Sequence, residues 1–355
     1  MSSPRILLTI SGSIPELLDE DVAAGLRPRT DYRVMAERLA ADVVDVEQAL
    51  AQTGRLGRLV QRLAGNGALV GWCAFRLRNE YDVVATDGEH VGVPWEVLTR
   101  VFGRRGARHV MIAHVLSAPK KAAVMRWTRL AARVDAYIVY CRHQADFLRD
   151  ELGVPAARIV ESAFMVDTEY FDPARSDVPR RRMICSAGLE RRDYPTLIKA
   201  VDGLDVEVVI TASSAWSRRA DSSAGEQLPD NVTVTRLDMP DFRDMYAAAA
   251  FVVMPLERVE FQAGITTILE AMSMGRAVVC TRVPGQTDSV IDGETAVLVP
   301  PGDPDALRSA IERLLADPDD ADRMGRNGQA WVLEHARIEQ YADEVGAAIA
   351  GVLAA

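Results

Sequence analysis

The sequence predicts an α/β protein with two doubly wound, Rossmann-like parallel sheets. Its length of 355 residues suits two domains of ordinary size. Short runs rich in β-branched residues alternate with longer helical patterns, which favours parallel strands joined by crossover helices. A charged, proline-containing stretch at 172–182 separates two such series. Because these sheets bind ligands at the carboxyl ends of their strands, we expect two domains that face each other across a cleft.

The predicted strands follow in order along both halves. In the first half they are Ile6–Ile10, Asp42–Val46, Tyr81–Thr86, His109–Ala113 and Ala136–Tyr140. In the second half they are Met183–Ser186, Val206–Thr211, Val232–Thr235, Phe251–Met254, Ala277–Cys280 and Ala296–Val299. Helices are predicted between them, and a last helix carries apolar residues at helical spacing from Ile338 to Val352.

Composition restricts the class of protein and its partners. A net charge of −10 argues against a nucleic-acid partner, because binding to a phosphate backbone depends on cations. The four cysteines have no metal or pairing pattern, so we expect them to be reduced and buried in a cytoplasmic protein. The first apolar run, Ile6–Ile10, is too short for a signal peptide, and no run approaches the roughly 18 residues of a membrane span.

The stretch after the Phe251–Met254 strand is the strongest indication of a ligand. Gly264 opens a predicted helix, and the backbone N–H groups of Ile265, Thr266 and Thr267 then form an anion site at the positive end of the helix dipole. Glu270 follows on the same helix, where a carboxylate can accept both hydroxyls of a ribose. A phosphate site followed by a diol acceptor indicates a nucleotide.

The same stretch resembles a known family. Leu269-Glu270-Ala271-Met272 is similar to the second half of the paired-glutamate signature of family-4 glycosyltransferases, which have the GT-B architecture. Gln262 stands at the position of the signature's first glutamate, which in the family contacts the donor sugar. An amide still binds hydroxyls but cannot stabilise positive charge on the anomeric carbon. Glu257 or Glu260, just upstream, is the alternative source of that charge.

The resemblance also implies a domain plan and a phosphate cation. It implies an acceptor-side domain at 1–171, a linker at 172–182, a nucleotide-sugar domain at 183–335 and a helix at 336–355 that packs back on the first domain. In the segment that follows the Met183–Ser186 strand, Leu189 replaces the family's arginine. Arg191 or Arg192 is therefore the candidate cation for the donor diphosphate.

Polar residues at two strand ends of the first domain suggest the acceptor side. The strand His109–Ala113 delivers His114 to its carboxyl end, where the family places a histidine against the donor sugar. Asp87 and Glu89 end the preceding strand at the same edge. Their carboxylates are candidates to orient the acceptor hydroxyl or, in an inverting reaction, to act as general base.

Two further patterns each have two interpretations. Asp303-Pro304-Asp305 matches a metal-chelating motif of another glycosyltransferase architecture, but Asp303 as a helix N-cap explains it, so we expect no metal. Residues 54–79 interleave arginines with apolar residues and contain no acidic residue. They form either a weak membrane-surface contact at the inner membrane face or, as we favour, helices packed on the sheet with arginines outward.

The sequence therefore predicts a metal-independent glycosyltransferase with no resident cofactor. Its donor is a nucleoside-diphosphate sugar, its acceptor is a small-molecule or lipid-linked hydroxyl, and the resemblance implies retention of anomeric configuration. The alternatives are a GT-B sugar-nucleotide epimerase and a catalytically inactive nucleotide-sugar-binding partner protein.

Overall fold

The computed structural model describes residues 3–104, 106–212, 221–286 and 288–355, which form two compact units. The first unit contains the residues up to Asp19, Thr30–Ser162 and Glu339–Ala355. The second contains Glu20–Arg29 and Ala163–Ile338.

The first unit has a parallel sheet flanked by helices. Within the described residues, its six strands run in the order β2-β1-β3-β4-β5-β6. The strands are β1 (Ile6–Thr9), β2 (Asp42–Val44), β3 (Val83–Asp87), β4 (Arg108–Ile112), β5 (Ala136–Val139) and β6 (Ile159–Glu161). The helices are α1 (Leu18–Ala23), which extends into the second unit, α2 (Asp31–Leu39), α3 (Val46–Leu77), α4 (Glu89–Phe102), α5 (Pro119–Thr128) and α6 (Arg142–Asp146). Every strand pairing in this sheet is parallel.

The second unit repeats this plan. Its described residues form six parallel strands in the order β12-β11-β10-β7-β8-β9. The strands are β7 (Met183–Ala187), β8 (Glu207–Thr211), β9 (Val232–Thr235), β10 (Phe251–Met254), β11 (Val278–Thr281) and β12 (Ala296–Val299). The helices are α7 (Tyr194–Val201), α8 (Met239–Ala248), α9 (Ile265–Ser273), α10 (Pro304–Ala316) and α11 (Pro318–His335). The predicted doubly wound α/β class is therefore confirmed.

The last helix, α12 (Ile338–Ala354), belongs to the first unit from Glu339 onward. Its Tyr341 hydroxyl lies 3.1 Å from the hydroxyl of Tyr140, which follows β5. Both side chains are buried, so this pair is part of the first unit's interior.

The boundary between the two units lies N-terminal to the predicted linker 172–182. Residues from Ala163 belong to the second unit because Phe171 is buried in its core and its carbonyl accepts a hydrogen bond of 2.6 Å from Ser273. Residues 20–29 join the same unit. The Arg29 guanidinium contacts the Asp167 carboxylate at 2.6 Å there.

The packing of residues 54–79 differs from the interpretation that we favoured from the sequence. Gly65 has a φ of 83° and interrupts α3. The preceding leucines, however, are not packed on the sheet: Leu56, Leu59 and Leu63 are 64%, 51% and 79% exposed. The prediction of packed apolar residues is wrong for this part of α3. Among the described residues, no helix is both long enough and apolar enough to cross a bilayer.

Candidate functional site

A close-packed turn forms the start of α9 in the second unit. Gly264 precedes α9 with a φ of 74°, and a Cβ there would lie 2.9 Å from the Met254 sulfur and 3.2 Å from Nη1 of Arg192. Only glycine fits both the backbone angle and the space. The first helical bond of α9 runs from the Ile268 N–H to the Gly264 carbonyl. The N–H groups of residues 265–267 therefore belong to the first turn, where a helix offers donors to an anion.

Arg192 places a buried cation beside this helix start. Its side chain donates hydrogen bonds of 2.7 Å to the carbonyls of Ala187 and Glu190 and one of 3.4 Å to the Thr267 hydroxyl. These three acceptors are uncharged. Burial lowers the pKa of Arg192 from its ordinary value, which reflects how unfavourable an uncompensated charge is there. An anion at the start of α9 would supply the missing negative charge.

The two candidate arginines have different surroundings. Arg191 takes a φ of 58°, and its guanidinium forms an ion pair of 3.0 Å with Glu257. Arg192 points instead to the start of α9. Leu189, at the position of the family's arginine, packs against the apolar core of the unit. The structure thus brings Arg192, and not Arg191, to the predicted anion site.

Glu270 lies on α9 in a buried polar contact. The Tyr246 hydroxyl donates a hydrogen bond of 3.0 Å to Oε2 of Glu270. Burial raises the pKa of Glu270 to about 8, although this hydrogen bond and the charge of Arg192 oppose the shift. Burial thus favours the protonated carboxyl group, and hydrogen-bond donors from a ligand would favour its charged form.

Gln262 holds the loop that leads into α9. Its side-chain amide donates a hydrogen bond of 2.9 Å to the Gly285 carbonyl. The buried amide of Gln286 donates to the Ala263 carbonyl beside it. The upstream carboxylates are placed differently, because Glu257 pairs with Arg191 and Glu260 is exposed.

A histidine–aspartate pair lies at the carboxyl edge of the first unit's sheet. Asp87 ends β3 and His114 follows β4, and these two strands are neighbours. The Nε2 atom of His114 is 2.7 Å from Oδ1 of Asp87. Burial alone lowers the pKa of His114, but the carboxylate of Asp87, aided by Glu89 and Asp31, raises it to about 9. The pairing with Asp87 therefore favours the imidazolium form of His114.

Glu89 is buried, and several hydrogen-bond donors contact its carboxylate. Its carboxylate accepts hydrogen bonds from the backbone N–H groups of His114, at 3.0 Å, and Val115, at 3.3 Å, and from the Lys121 ammonium. Burial opposes the charged form, but the charge and hydrogen bond of Lys121 and the charge of His114 lower the pKa of Glu89. Glu89 thus fixes the backbone at His114, whereas Asp87 contacts the imidazole itself.

Two residues that the sequence did not indicate complete this edge. Gln144 accepts a hydrogen bond of 2.9 Å from the Tyr140 N–H and donates one to the His114 carbonyl, so it ties two strand ends together. Asp31, the first residue of α2, has a pKa raised to about 6 by burial and by the charge of Asp87. Its proximity to Asp87 leaves no local pattern in the sequence.

The Asp303 motif serves as a helix cap. Its carboxylate accepts a hydrogen bond of 2.9 Å from the Ala306 N–H, and Pro304 begins α10. This arrangement is the N-cap that the sequence predicted. In the described part of the chain, no group of three or more His, Cys, Asp and Glu side chains is arranged to hold a metal ion.

Part of the chain, including α9, resembles known protein sequences. Residues 187–317 match the model of the family described as Glycosyl transferases group 1. The alpha-D-kanosaminyltransferase of Streptomyces kanamyceticus is 30% identical over 228 residues, which are 58% of each chain. A GDP-mannose-dependent alpha-(1-6)-phosphatidylinositol monomannoside mannosyltransferase of Mycolicibacterium smegmatis is 25% identical over 288 residues, 73% of this chain and 74% of the relative. The chain spans little more than half the length of the first relative.

Solved structures share the fold over nearly the whole chain. Sucrose-phosphate synthase of Thermosynechococcus elongatus superposes with a TM-score of 0.72 at 20% identity, covering 99% of this chain and all of that one. Anabaena HepE in complex with UDP and glucose gives 0.70 at 17% identity, with coverage of 98% and 99%. The two sheets and these neighbours show the GT-B fold. The family match and the named relatives show similarity to glycosyltransferases over part of the chain.

Proposed function

We propose that this protein transfers a sugar from a nucleoside-diphosphate sugar to an acceptor hydroxyl. One observation carries the proposal: the buried Arg192 guanidinium, bound only to uncharged acceptors among the described residues, lies at the start of α9, and Glu270 follows on the same helix. The cation and the helix start suit a diphosphate. The carboxylate suits the ribose diol attached to it.

The donor would be held without a divalent ion. The first-turn N–H groups of Ile265, Thr266 and Thr267 would bind one phosphate, and Arg192 would neutralise charge on the leaving group as its bond to the sugar breaks. Gln262 would contact the sugar through its amide oxygen, since its amide nitrogen already donates a hydrogen bond to the Gly285 carbonyl. No resident cofactor is required, because the nucleotide sugar itself brings the activated bond.

The comparisons support this choice of donor. HepE was solved with UDP-glucose, and the mycobacterial relative is named as GDP-mannose-dependent. Leu189 carries no cation where the resembled family has an arginine, and the Arg192 guanidinium beside Thr267 would supply one instead, which favours an active transferase over the inactive-partner alternative. The acceptor would bind at the first unit's sheet edge, where Asp87 and His114 are paired.

We propose that the reaction retains anomeric configuration. The bond between the anomeric carbon and the phosphate oxygen breaks, the acceptor oxygen bonds to the same face, and its proton passes to the departing phosphate. No protein base is needed on this route. His114, as an imidazolium, would polarise and position the groups around the sugar.

A ligand screen followed by a transfer assay tests the proposal. Nucleoside-diphosphate sugars should raise the melting temperature, since a ligand at 100 times its Kd stabilises by about 2.7 kcal/mol. The stabilising donor should then give free nucleoside diphosphate and a glycosylated acceptor. Activity should survive EDTA. Loss of activity with EDTA and rescue by Mg²⁺ or Mn²⁺ would refute the metal-independent site, and stabilisation by no nucleotide sugar would refute the function.

A further inference from the structure

A short amphipathic stretch of α3 lies between two backbone breaks. Gly54 and Gly65 have φ angles of 61° and 83°, which other residues rarely adopt. We name the helical residues between them, 55–64, the basic segment. Because the backbone is non-helical at both glycines, the axis of the basic segment can differ from that of the rest of α3.

One face of the basic segment is held against the first unit. A Cβ at Gly57 would lie 3.2 Å from the Leu69 side chain, so the backbone approaches its neighbour closely there. Val60 is partly buried against the core that contains Leu69. The segment therefore packs on the unit through Gly57 and Val60.

Three leucines of the same segment lie outside this contact and are exposed. Leu56, Leu59 and Leu63 are each more than half exposed, and their spacing of three and four residues places them on one stripe of the helix. Isolated exposed leucines are common, but a continuous stripe of them suggests a binding surface. The fold itself gains nothing from leaving these three side chains in water.

A stripe of cations lies beside the leucines. Arg55, Arg58 and Arg62 repeat with the same spacing, one position earlier, and all three are exposed. From Gln48 to Asn79 the sequence has no acidic residue, although the chain carries a net charge of −10. The local charge is thus opposite to that of the whole protein.

The segment ends beside the proposed acceptor edge. Asn66, just past Gly65, donates a hydrogen bond of 3.3 Å to the Ser11 carbonyl. The Ser11 hydroxyl is 2.6 Å from Nε2 of His90, which lies three positions after Asp87 in the chain. A surface that binds the basic segment would therefore lie near the sheet edge that carries Asp87.

We propose that the basic segment docks on an anionic lipid membrane. The leucines would enter the boundary between headgroups and acyl chains, and the arginines would contact lipid phosphates. Anionic lipids of the cytoplasmic leaflet supply the complementary charge. Resting on the proposed function, this contact implies a lipid-borne acceptor hydroxyl. One segment of this size gives reversible, peripheral binding.

Vesicle sedimentation tests the contact without using activity. Wild-type protein should bind phosphatidylcholine vesicles containing phosphatidylglycerol and bind pure phosphatidylcholine vesicles far more weakly. Replacing Arg55, Arg58 and Arg62 by Gln should lower binding to the anionic vesicles about 100-fold, because each cation near such a surface contributes about fivefold. Replacing Leu56, Leu59 and Leu63 by Ser should lower it about tenfold or more.

Matched variants in the second unit serve as controls. Leu333→Ser removes a leucine that is 47% exposed, and Arg236→Gln removes an exposed arginine; both should bind vesicles as the wild type does. All variants should keep the wild-type melting temperature response to nucleoside diphosphate, which reports on the second unit. Equal binding to neutral and anionic vesicles, or none to either, would overturn the proposal. A self-associated wild type that the leucine variant makes monomeric, with vesicle binding unchanged, would assign the stripe to a second copy instead.

Discussion

The Tyr246 hydroxyl donates a hydrogen bond of 3.0 Å to Oε2 of Glu270 and thereby joins α8 to α9. Both side chains are buried, and burial raises the pKa of Tyr246 well above its ordinary value, so the phenol remains a donor. The carboxyl group is thus oriented before any ligand binds. Preorganisation of this kind spares a ligand the cost of ordering its partner.

Glu270→Gln should weaken nucleoside-diphosphate binding by about 1.5 to 3 kcal/mol while preserving the fold. The amide keeps the shape and the bond from Tyr246 but loses the charged acceptor for two hydroxyls. Calorimetric titration of wild type and variant measures the difference. Asp303→Asn, which keeps a capping side chain on α10, is a control that should bind as the wild type does. Unchanged affinity in Glu270→Gln would refute the assignment of Glu270.

The same variant should change the pH dependence of stability. Glu270 has an ordinary pKa of 4.5 and a folded pKa raised to about 8, so the unfolded chain loses this proton first. The protonated side chain contributes fully to the free energy of unfolding below the unfolded pKa, and this contribution is lost as pH rises toward the folded pKa. Relative to Glu270→Gln, the wild type's free energy of unfolding should therefore fall as pH rises through this window, as measured by urea unfolding.

Sequence reasoning succeeded where the signal was local. Buried strands such as Phe251–Met254 are short β-branched or aromatic runs bounded by turns, so their positions were predictable. The strand β6 was missed because Ile159–Glu161 is a three-residue edge strand with no alternating pattern. Gly264 was found because glycine before a helical run has a conformational reason to be there.

The remaining site features depend on tertiary contacts. Arg191 and Arg192 are chemically identical neighbours, and only the positive φ of Arg191 and the packing around Arg192 distinguish them. Gln144 joins the backbone at His114 and Tyr140, a contact across strands that leaves no local pattern. The exposure of Leu56 was also not readable, because helical spacing does not reveal whether a neighbour covers the stripe.

Arg192→Met should lower affinity for a nucleoside diphosphate far more than affinity for the nucleoside. The guanidinium lies at the start of α9, and the phosphates are the part of the ligand that gains from a charge-assisted bond there, worth about 1.5 to 3 kcal/mol. Arg191→Met is the matched control and should leave both affinities unchanged, since Arg191 pairs with Glu257. Competition binding with the two ligands measures the ratio. Equal losses for both ligands in Arg192→Met would indicate damaged folding rather than a lost phosphate contact.

Asp87→Asn should lower the pKa of His114 toward its ordinary value. The carboxylate is 2.7 Å from Nε2, and together with Glu89 and Asp31 it outweighs burial to give a pKa of about 9. In the wild type, the imidazolium's contribution to stability is complete below the unfolded pKa of 6.5 and is lost as pH rises through about 9. Titration of the imidazole resonances by NMR checks the shift in both proteins. A His114 pKa that stays near 9 in the variant would contradict the pairing.

Retaining and inverting reactions should respond differently to the loss of the Asp87 or Glu89 carboxylate. In a retaining reaction the departing phosphate takes the acceptor's proton, so Asp87→Asn should reduce turnover only modestly through its effect on His114. Glu89→Gln weakens the bonds that hold the His114 backbone and should lower stability more than it lowers turnover at saturating substrate. In an inverting reaction a base must act on the opposite face, and removing it should lower turnover about 100- to 10,000-fold.

Assignment of the product's anomeric proton by NMR, measured together with the turnover rates of these two variants, separates the two routes. We expect a retained configuration with a modest loss in Asp87→Asn, because Leu269-Glu270-Ala271-Met272 resembles the signature of a retaining family. An inverted product with a collapsed rate would instead make Asp87 the general base.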